Sequence, residues 1–462
     1  SFPFAVLMRD HRKLAFRDAS EADPASGVGI FTGQGIGDHY TGADWEDRSM
    51  MLRGPALLHL KRTAARLFLS QGYDLHELPE NLQAKPLADD YGDRVEALRQ
   101  RGWTTPALVV TNDTGFGEKQ CTVLKATILN LALPGSVLFS FDSLWISDYW
   151  ASMSISAALR GARIYPVAPA PDNAPSSALP TMVLMRENLQ MMMRAGERFA
   201  AQIAAVDGRL RIGLYAHDIS VADAGRRAGA FLEGRQTYSW LQEEFPIHPT
   251  VLTTLEEAAR GSQQTHDPTA DGLDASGHSD SSSVVAHAEV KPFLHLKTQF
   301  YASRKAIEVL SGAFWTEAVR SYMQVRDQQV AGRPSEGVTP ALLRQQAQDP
   351  DVEALAPDGA GRVGQDDSVE DYLSNLSARQ HSKVILSVAV GTFNQDRRSM
   401  LLNGEILLAV SGPAALITLH DFMFILGTAN WPANAQELNK IFPDQKIPGA
   451  MRRYFRNLQD LI

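Results

Sequence analysis

The stretch "ALVVTNDTGFGEKQCTVLKATILNLALPGSVLFSFD", residues 107–142, decides the fold class of this chain. It begins and ends with short apolar runs, ALVVTND and SVLFSFD, which are typical of buried strands. Residues 120–133 between them predict a helix. A second helix is predicted over 149–160, and a third strand in "GARIYPVAP", residues 161–169. Alternating strands and helices predict an α/β fold with a parallel sheet and helical crossovers.

Outside this region, the sequence predicts two further helices and two polar segments. One helix begins at Pro55, because proline after glycine suits a helix start and apolar residues then recur at helical spacing. A shorter helix is predicted over 93–101. Residues 261–288 are rich in Ser, Asp, Gly and His, and residues 331–370 in Gly, Pro, Gln and Asp. We expect both of these segments to be poorly ordered.

Composition excludes several classes of protein. The chain has 462 residues, of which 44% are hydrophobic and 21% charged, so it is globular and long enough for two to four domains. A formal net charge of -9 disfavours a protein that binds nucleic acid. The single cysteine, Cys121, excludes an intramolecular disulfide and a cysteine-based metal cluster, and we expect it to be buried. No run approaches 18 apolar residues, so no membrane span is predicted.

Two His-x-Lys pairs are the first candidate functional groups. Within a strand, residues two apart project from the same face, so each pair would present an imidazole beside an ammonium. That combination suits a phosphate, since the ammonium neutralises an oxygen while the imidazole attacks phosphorus or transfers a proton. A basic, exposed edge segment would explain one such pair without any chemistry. The pairs are His11 with Lys13 in "DHRKLAFRD", residues 10–18, and His295 with Lys297 in "FLHLKTQFYAS", residues 293–303.

A third motif is "VGTFNQDRRSMLLNGEILLAVSGPAAL", residues 390–416. Here an apolar strand ends in Gly-Thr-x-Asn, so the hydroxyl of Thr392 and the amide of Asn394 can hydrogen-bond phosphoryl oxygens. Glu405 leads into another apolar strand. The sequence therefore predicts a phosphate cradle followed by a carboxylate.

Together these motifs resemble the phospholipase D superfamily, whose two repeats each supply a His-x-Lys-x4-Asp motif followed by a Gly-Ser-x-Asn turn. Residues 35–60, "GIGDHYTGADWEDRSMMLRGPALLHL", are similar to the stretch that follows the first family motif. The resemblance implies an α/β fold of two repeats, with mixed sheets flanked by helices and packed around a pseudo-twofold axis, and a site between the repeats.

The resemblance also implies a division of the chain into two regions. Residues 1–95 would be the C-terminal part of the first repeat, which is incomplete at its N-terminus. Residues 96–462 would be the second repeat, with insertions at about 172–290 and 304–383. We expect an N-terminal portion or a separate chain to complete the first repeat, because its sheet would otherwise expose unpaired edges.

The activity that the resemblance implies is cleavage or transfer of a phosphodiester through a phosphohistidine, with no metal and no cofactor. His11 is then the candidate nucleophile and His295 the candidate general acid and later base, and this order could be reversed. Lys13 and Lys297 would bind phosphate oxygens. The remaining site residues implied are Asn394 and Thr392 of the cradle, Gly33 and Gly35 of the first-repeat turn, Asp18 as the first motif's acid, and Glu405 as a carboxylate that orients a histidine.

The chain departs from the family pattern in three places. Ala302 stands where the second motif has its acid, and Gly35 stands where the first turn has its Asn. About 90 residues separate His295 from the cradle, where the family usually has a short hairpin, which indicates a large insertion. A rival pair, His381 with Lys383, lies closer to the cradle but lacks the acid.

The sequence therefore favours a phosphodiesterase or phosphatidyltransferase that acts on phospholipid, located in the bacterial cytoplasm or peripherally at a membrane. Trp145, Tyr149 and Trp150 are candidates for apolar membrane contact. One alternative is a nuclease of the same superfamily, which the negative charge disfavours. The other is a noncatalytic relative that binds a lipid or a partner, an alternative that Ala302 and Gly35 keep open.

Overall fold

The computed structural model describes residues 10–33, 45–46, 49–103, 105–115, 117–130, 132–143, 147–171, 179–215, 246–248, 250–251, 253–255, 293–310, 314–330, 384–443 and 448–457. The strands are β1 (Leu14–Arg17), β2 (Val28–Thr32), β3 (Trp45–Glu46), β4 (Ser49–Arg53), β5 (Ala107–Asn112), β6 (Val137–Asp142), β7 (Arg163–Pro169), β8 (Arg209–Leu210), β9 (Gly213–Tyr215), β10 (Phe293–Leu294), β11 (Lys297–Ala302), β12 (Leu386–Gly391) and β13 (Glu405–Ser411).

The helices are α1 (Leu57–Ser70), α2 (Tyr91–Gln100), α3 (Gln120–Asn130), α4 (Asp148–Leu159), α5 (Leu179–Arg198), α6 (Ala200–Ala205), α7 (Arg304–Leu310), α8 (Phe314–Val330), α9 (Arg397–Leu401), α10 (Pro413–Thr428), α11 (Ala435–Ile441) and α12 (Gly449–Asn457). The predicted helices α1 to α4 all exist, and the ends that were predicted differ from the observed ends by at most three residues. Among the described helices, none combines the length and the apolar character that crossing a membrane requires.

A mixed main sheet forms the centre of the fold, with strand order β5-β13-β12-β11-β6-β7-β8 and β9 paired to β7. The strands from β5 to β6 in this order are antiparallel to their neighbours, whereas β6, β7, β8 and β9 are parallel. The prediction of a parallel sheet is therefore correct only from β6 onward. It is wrong for β5, because β11, β12 and β13 lie between β5 and β6. A pattern of apolar residues identifies a strand but not its neighbour.

The main sheet is buried on both faces. On one face, Phe139, Phe300 and Val388 belong to a core that includes α10 and the small antiparallel sheet β1-β2-β4. On the other face, which we call the helical face, Leu138 and Tyr301 belong to a core that includes α3, α4 and α5. The α/β class with sheets flanked by helices is thus confirmed. The division at residue 95 and the pseudo-twofold axis stay predictions.

The small sheet brings the N-terminal region to the middle of the main sheet. Strands β2 and β4 contact β12, and β2 also contacts β13. Just before β1, Asp10 forms a bridge with Gly404, which directly precedes β13. His11 therefore lies beside Glu405, the first residue of β13.

Candidate functional site

His11 and Lys13 lie immediately before β1 rather than within it. The backbone N–H of His11 donates to the carbonyl of Gly404 at 2.8 Å, and the strand pairing with β2 begins only at Leu14. The prediction of a shared strand face is therefore wrong for this pair. At this point the segment pairs with Gly404, directly before β13, instead of continuing the small sheet.

The ring of His11 is held by a buried carboxylate. Its Nδ1 lies 3.1 Å from Oε2 of Glu405, whose side chain has no exposed surface, whereas the His11 side chain is 28% exposed. Glu405 also accepts hydrogen bonds from Thr392 Oγ1 at 2.5 Å and from Ser399 Oγ at 2.8 Å. Because a carboxylate oxygen accepts, Nδ1 carries the proton, and the lone pair of the ring is on Nε2.

The cradle motif lies at the end of β12. The N–H of Thr392 donates to the carbonyl of Ile406 at 2.9 Å, and the N–H of Ile406 donates to Thr392 Oγ1 at 3.0 Å. A Cβ at Gly391 would lie 2.1 Å from the carbonyl oxygen of Ile406, so only glycine fits there. Asn394 accepts from Ser143 Oγ at 2.9 Å through Oδ1, which leaves its amide nitrogen as the donor of this side chain.

A fully buried ion pair holds the backbone on both sides of Asn394. Lys125 Nζ lies 3.4 Å from Asp142 Oδ2 and donates to the carbonyl of Phe393 at 3.0 Å. Asp142 Oδ1 accepts from the N–H of Gln395 at 3.2 Å. Burial lowers the pKa of Lys125, and the neighbouring Asp142 opposes that shift. The pair fixes both peptide groups that flank Asn394.

The second His-x-Lys pair lies at the start of β11. His295 lies between β10 and β11, and Lys297 is the first residue of β11, opposite Asp142 of β6. The prediction of a shared strand face is therefore wrong for this pair as well. Lys297 Nζ donates to the carbonyl of His295 at 2.8 Å and lies 3.0 Å from Nε2 of the ring. Lys13 Nζ likewise donates to the carbonyl of its own histidine, His11, at 3.0 Å. The two pairs therefore share one local geometry.

The register of the main sheet brings the two half-sites to the same edge. Thr298 of β11 and Leu408 of β13 both lie opposite Val390 of β12. His295 and Glu405 each lie three residues before those positions, so they occupy one level, about 10 Å apart across two strand spacings. Since His11 contacts Glu405, this edge gathers both histidines, both lysines, the carboxylate and the cradle.

Other predicted residues lie elsewhere. Asp18 directly follows β1, with its side chain 66% exposed and 3.7 Å from Arg17, so roughly 16 Å of extended chain separates it from Lys13. Gly33 is buried just after β2, and Ala302 is buried at the end of β11. Gly35, Trp145 and the rival pair His381 with Lys383 fall outside the described residues, as do residues 261–288 and 331–370.

Of the residues proposed for membrane contact, Tyr149 is exposed and Trp150 is buried. Tyr149 is 41% exposed, but Trp150 is completely buried against Phe393. The proposal of Trp150 as a contact residue is therefore wrong, because its ring fills the core under the cradle. Arg397 donates to Asp148 at 3.1 Å, which keeps the exposed Tyr149 close to the cradle segment.

Two acidic or thiol groups near the site have shifted pKa values. Asp396 begins α9 and accepts from the N–H of Ser399 at 2.8 Å, and burial raises the pKa of its carboxyl although that hydrogen bond opposes the shift. Burial also raises the pKa of the Cys121 thiol, which has no exposed surface, as the sequence predicted. Within the described ranges, no group of three or more His, Cys, Asp or Glu could hold a metal ion.

Sequence reasoning missed Lys125, Asp142 and Ser399. A signal existed for two of them: Lys125 lies four residues after Cys121 on a helix with few charges, and Asp142 ends a strand that is apolar except for Ser140. Ser399 carried no such signal, because a serine within a polar segment is usually exposed.

Comparison with known proteins adds one structural likeness. No family model matches the chain, and no curated protein matches its sequence. Among solved structures, the chain is similar to the crystal structure of phosphatidylserine synthase from Haemophilus influenzae Rd KW20. The identity is 11% and the TM-score 0.41, with 94% of this chain and 68% of that chain covered. A likeness at this level assigns neither a fold family nor an activity to this chain.

Proposed function

We propose that this protein is a metal-independent phosphodiesterase or phosphatidyltransferase that acts on phospholipid through a phosphohistidine intermediate. The observation that carries the proposal is the contact between His11 and Glu405, a buried carboxylate that accepts hydrogen bonds from other side chains. A carboxylate on Nδ1 fixes the tautomer, directs the Nε2 lone pair outward and stabilises positive charge on the ring. Those are the properties that a nitrogen nucleophile requires.

In the first step, His11 Nε2 forms a bond to phosphorus, and the bond from phosphorus to the leaving alcohol breaks. His295 gives its proton to the oxygen of that alcohol. In the second step, His295 takes a proton from water or from an acceptor alcohol, whose oxygen then bonds to phosphorus. The N–P bond breaks, and its electron pair returns to His11. Water gives hydrolysis, whereas an alcohol gives transfer.

The cations and donors of the chain replace a metal ion in this proposal. The ammonium groups of Lys13 and Lys297 neutralise the non-bridging oxygens, and the amide nitrogen of Asn394 donates to them. Such fixed groups act most strongly in a site that excludes water. Lys297 is almost fully buried and Asn394 is 8% exposed, so their positions are fixed before substrate binds.

Two observations support phospholipid over nucleic acid as the substrate. The net charge of -9 opposes the approach of a polyanion. The exposed ring of Tyr149 lies near the cradle segment, where an apolar contact with a membrane surface is needed. A noncatalytic lipid-binding role is the second candidate, because the buried Ala302 offers no carboxylate to the second half-site.

The decisive experiment compares turnover of phosphatidylglycerol, phosphatidylcholine and DNA by the same preparation, with and without excess EDTA. We expect turnover of at least one lipid, no cleavage of DNA, and no effect of EDTA. Cleavage of DNA alone would assign the nuclease alternative. Lipid binding without turnover would assign the noncatalytic one, and turnover that needs a divalent ion would contradict the metal-independent mechanism.

A further inference from the structure

A groove lined by arginines lies on the outer side of the helical layer, and it contains none of the residues of the site above. Its volume is about 580 Å³, within the range of small-molecule sites. One wall is the second half of α5, and the other is formed by Asn439 of α11 and Arg452 of α12.

The α5 wall carries three arginines and one glutamine on the same face of the helix, and Arg194 and Arg198 are like charges four residues apart. Arg186, Gln190, Arg194 and Arg198 follow one another at intervals of four residues, so they share one face of the helix over roughly 18 Å. Like charges four residues apart destabilise a helix. Across the part of the chain that the structure describes, Arg194 and Arg198 have no carboxylate partner that would offset this repulsion. A bound anion would offset it.

The floor of the groove holds a buried acceptor without a donor. Gln190 is 5% exposed, and its amide nitrogen donates to Asn439 Oδ1 at 2.7 Å and faces the carbonyl of Ala435 at 3.4 Å. Because both neighbours are acceptors, the amide oxygen must point away from them. That oxygen, Oε1, is buried with no hydrogen-bond partner among the described residues. A buried acceptor of this kind requires a donor.

Two further groups fix the shape of the groove. Arg186 is held by the carbonyl of Phe442 at 3.0 Å and by Asn439. Arg452 Nε lies 3.7 Å from Oε1 of Glu187. These contacts leave the more exposed Arg194 and Arg198 as the groups with unused donors, while the walls are already ordered.

We propose that this groove binds a phosphate-bearing anion that also carries a hydroxyl or ammonium group. The phosphate contacts Arg194 and Arg198, which bind it through paired N–H donors. The hydroxyl or ammonium donates to Gln190 Oε1. Both a phospholipid headgroup and a free phosphate ester have this chemistry. Met191, which lines the groove and is 36% exposed, offers the apolar surface that a lipid would use.

The test measures binding of two probes to the full chain. Glycerol 3-phosphate in calorimetry represents the free ester, and flotation with phosphatidylcholine vesicles containing phosphatidylglycerol represents the headgroup. Vesicles of phosphatidylcholine alone are the reference. Binding of glycerol 3-phosphate identifies a free ester as a ligand, and binding of the mixed vesicles alone identifies a headgroup.

The variant Arg194→Gln/Arg198→Gln should weaken binding of the effective probe by about tenfold or more. The matched control is Arg99→Gln/Arg304→Gln, which removes the same charge from two exposed, ion-paired arginines on α2 and α7, and should not change binding. Absence of binding by the wild type, or an equal effect of the two double variants, would overturn the proposal.

A third variant tests the donor requirement separately. Gln190→Met keeps the size of the side chain and removes the acceptor, so it should weaken binding of glycerol 3-phosphate but not of sulfate, which carries no donor at neutral pH. Equal weakening for both anions would overturn the assignment of Gln190. The midpoint of thermal unfolding is the check on folding for all variants, and it does not depend on the proposed activity.

Discussion

The two His-x-Lys pairs share a backbone geometry but differ in what lies beside the ring. In both, the lysine ammonium donates to the carbonyl of its own histidine. The ring of His11 has a buried carboxylate at 3.1 Å, whereas the ring of His295 has the ammonium of Lys297 at 3.0 Å. One motif therefore produces two environments of opposite charge. Our proposal assigns the two rings unequal roles because of this difference, with His11 as nucleophile and His295 as the group that transfers protons.

The variant His11→Ala tests this difference with the largest expected effect. It should lower turnover by about three orders of magnitude or more and abolish the acid-labile phosphoryl adduct, because the proposed mechanism forms that bond on His11. Turnover and trapping of the adduct with labelled substrate are the measurements. The matched control is His76→Ala, which removes an exposed histidine that is not part of the candidate site. Near-normal turnover of His11→Ala would end the proposed mechanism.

The variant His295→Ala should lower turnover by a similar factor but have a different effect on the phosphoryl adduct. Because the nucleophile remains, an activated substrate with a good leaving group should still form the adduct, which then accumulates. The double variant should be little worse than either single one, since residues that act as a unit fail together. Adduct on His295 in the His11→Ala protein would reverse the two roles.

The variant Glu405→Gln should remove the negative charge beside the ring of His11. We expect turnover to fall about a hundredfold, since a neutral amide stabilises an imidazolium less well and favours the wrong tautomer. The pH profile of turnover is the readout that a purely structural role would not move, and its shape should change. A profile identical to that of the wild type, with turnover reduced only in proportion to folded protein, would contradict the positioning role.

The smallest expected effect is on stability, and it concerns Asp396. This residue contacts Ser399, which in turn contacts Glu405. The pKa of Asp396 is raised above 3.8 by burial, so the folded state keeps the proton longer than the unfolded state. Stability from this group is therefore present at low pH and falls as pH rises through the raised pKa. Asp396→Asn should abolish this fall, while Asp396→Ala should lose about 1 kcal/mol as a helix cap. Urea unfolding across the acid range measures both, and parallel curves for Asn and wild type would contradict the shift.

Local patterns predicted the elements well, because apolar runs and helical spacing depend on neighbouring residues. The sequence alone predicted nine elements: strands β5, β6, β7, β12 and β13 and helices α1 to α4. The order of the strands was not, since nothing local indicates that β13 pairs with β5.

The sequence named the residues of the candidate site, whose roles stay predictions, but it did not indicate which of them contact one another. The cradle motif pointed to Thr392, Asn394 and Glu405, yet it did not indicate that Glu405 contacts His11 rather than His295. That contact depends on the bridge between Asp10 and Gly404, which joins distant parts of the chain. The support from Lys125 escaped prediction because a lysine on a helix is normally solvated.

The strand order of the main sheet has a consequence for synthesis of the chain. Strand β5 leaves the ribosome early but pairs only with β13 in the described sheet, and at typical rates of translation β13 follows on the order of tens of seconds later. During that interval β5 has an open edge, and β6 has only β7 beside it, which makes nascent chains a substrate for chaperones and liable to aggregate. Glu405 begins the same late strand. Any chain that stops before β13 therefore lacks both the partner of β5 and the carboxylate beside His11, so solubility and activity should be acquired together, at the end of synthesis.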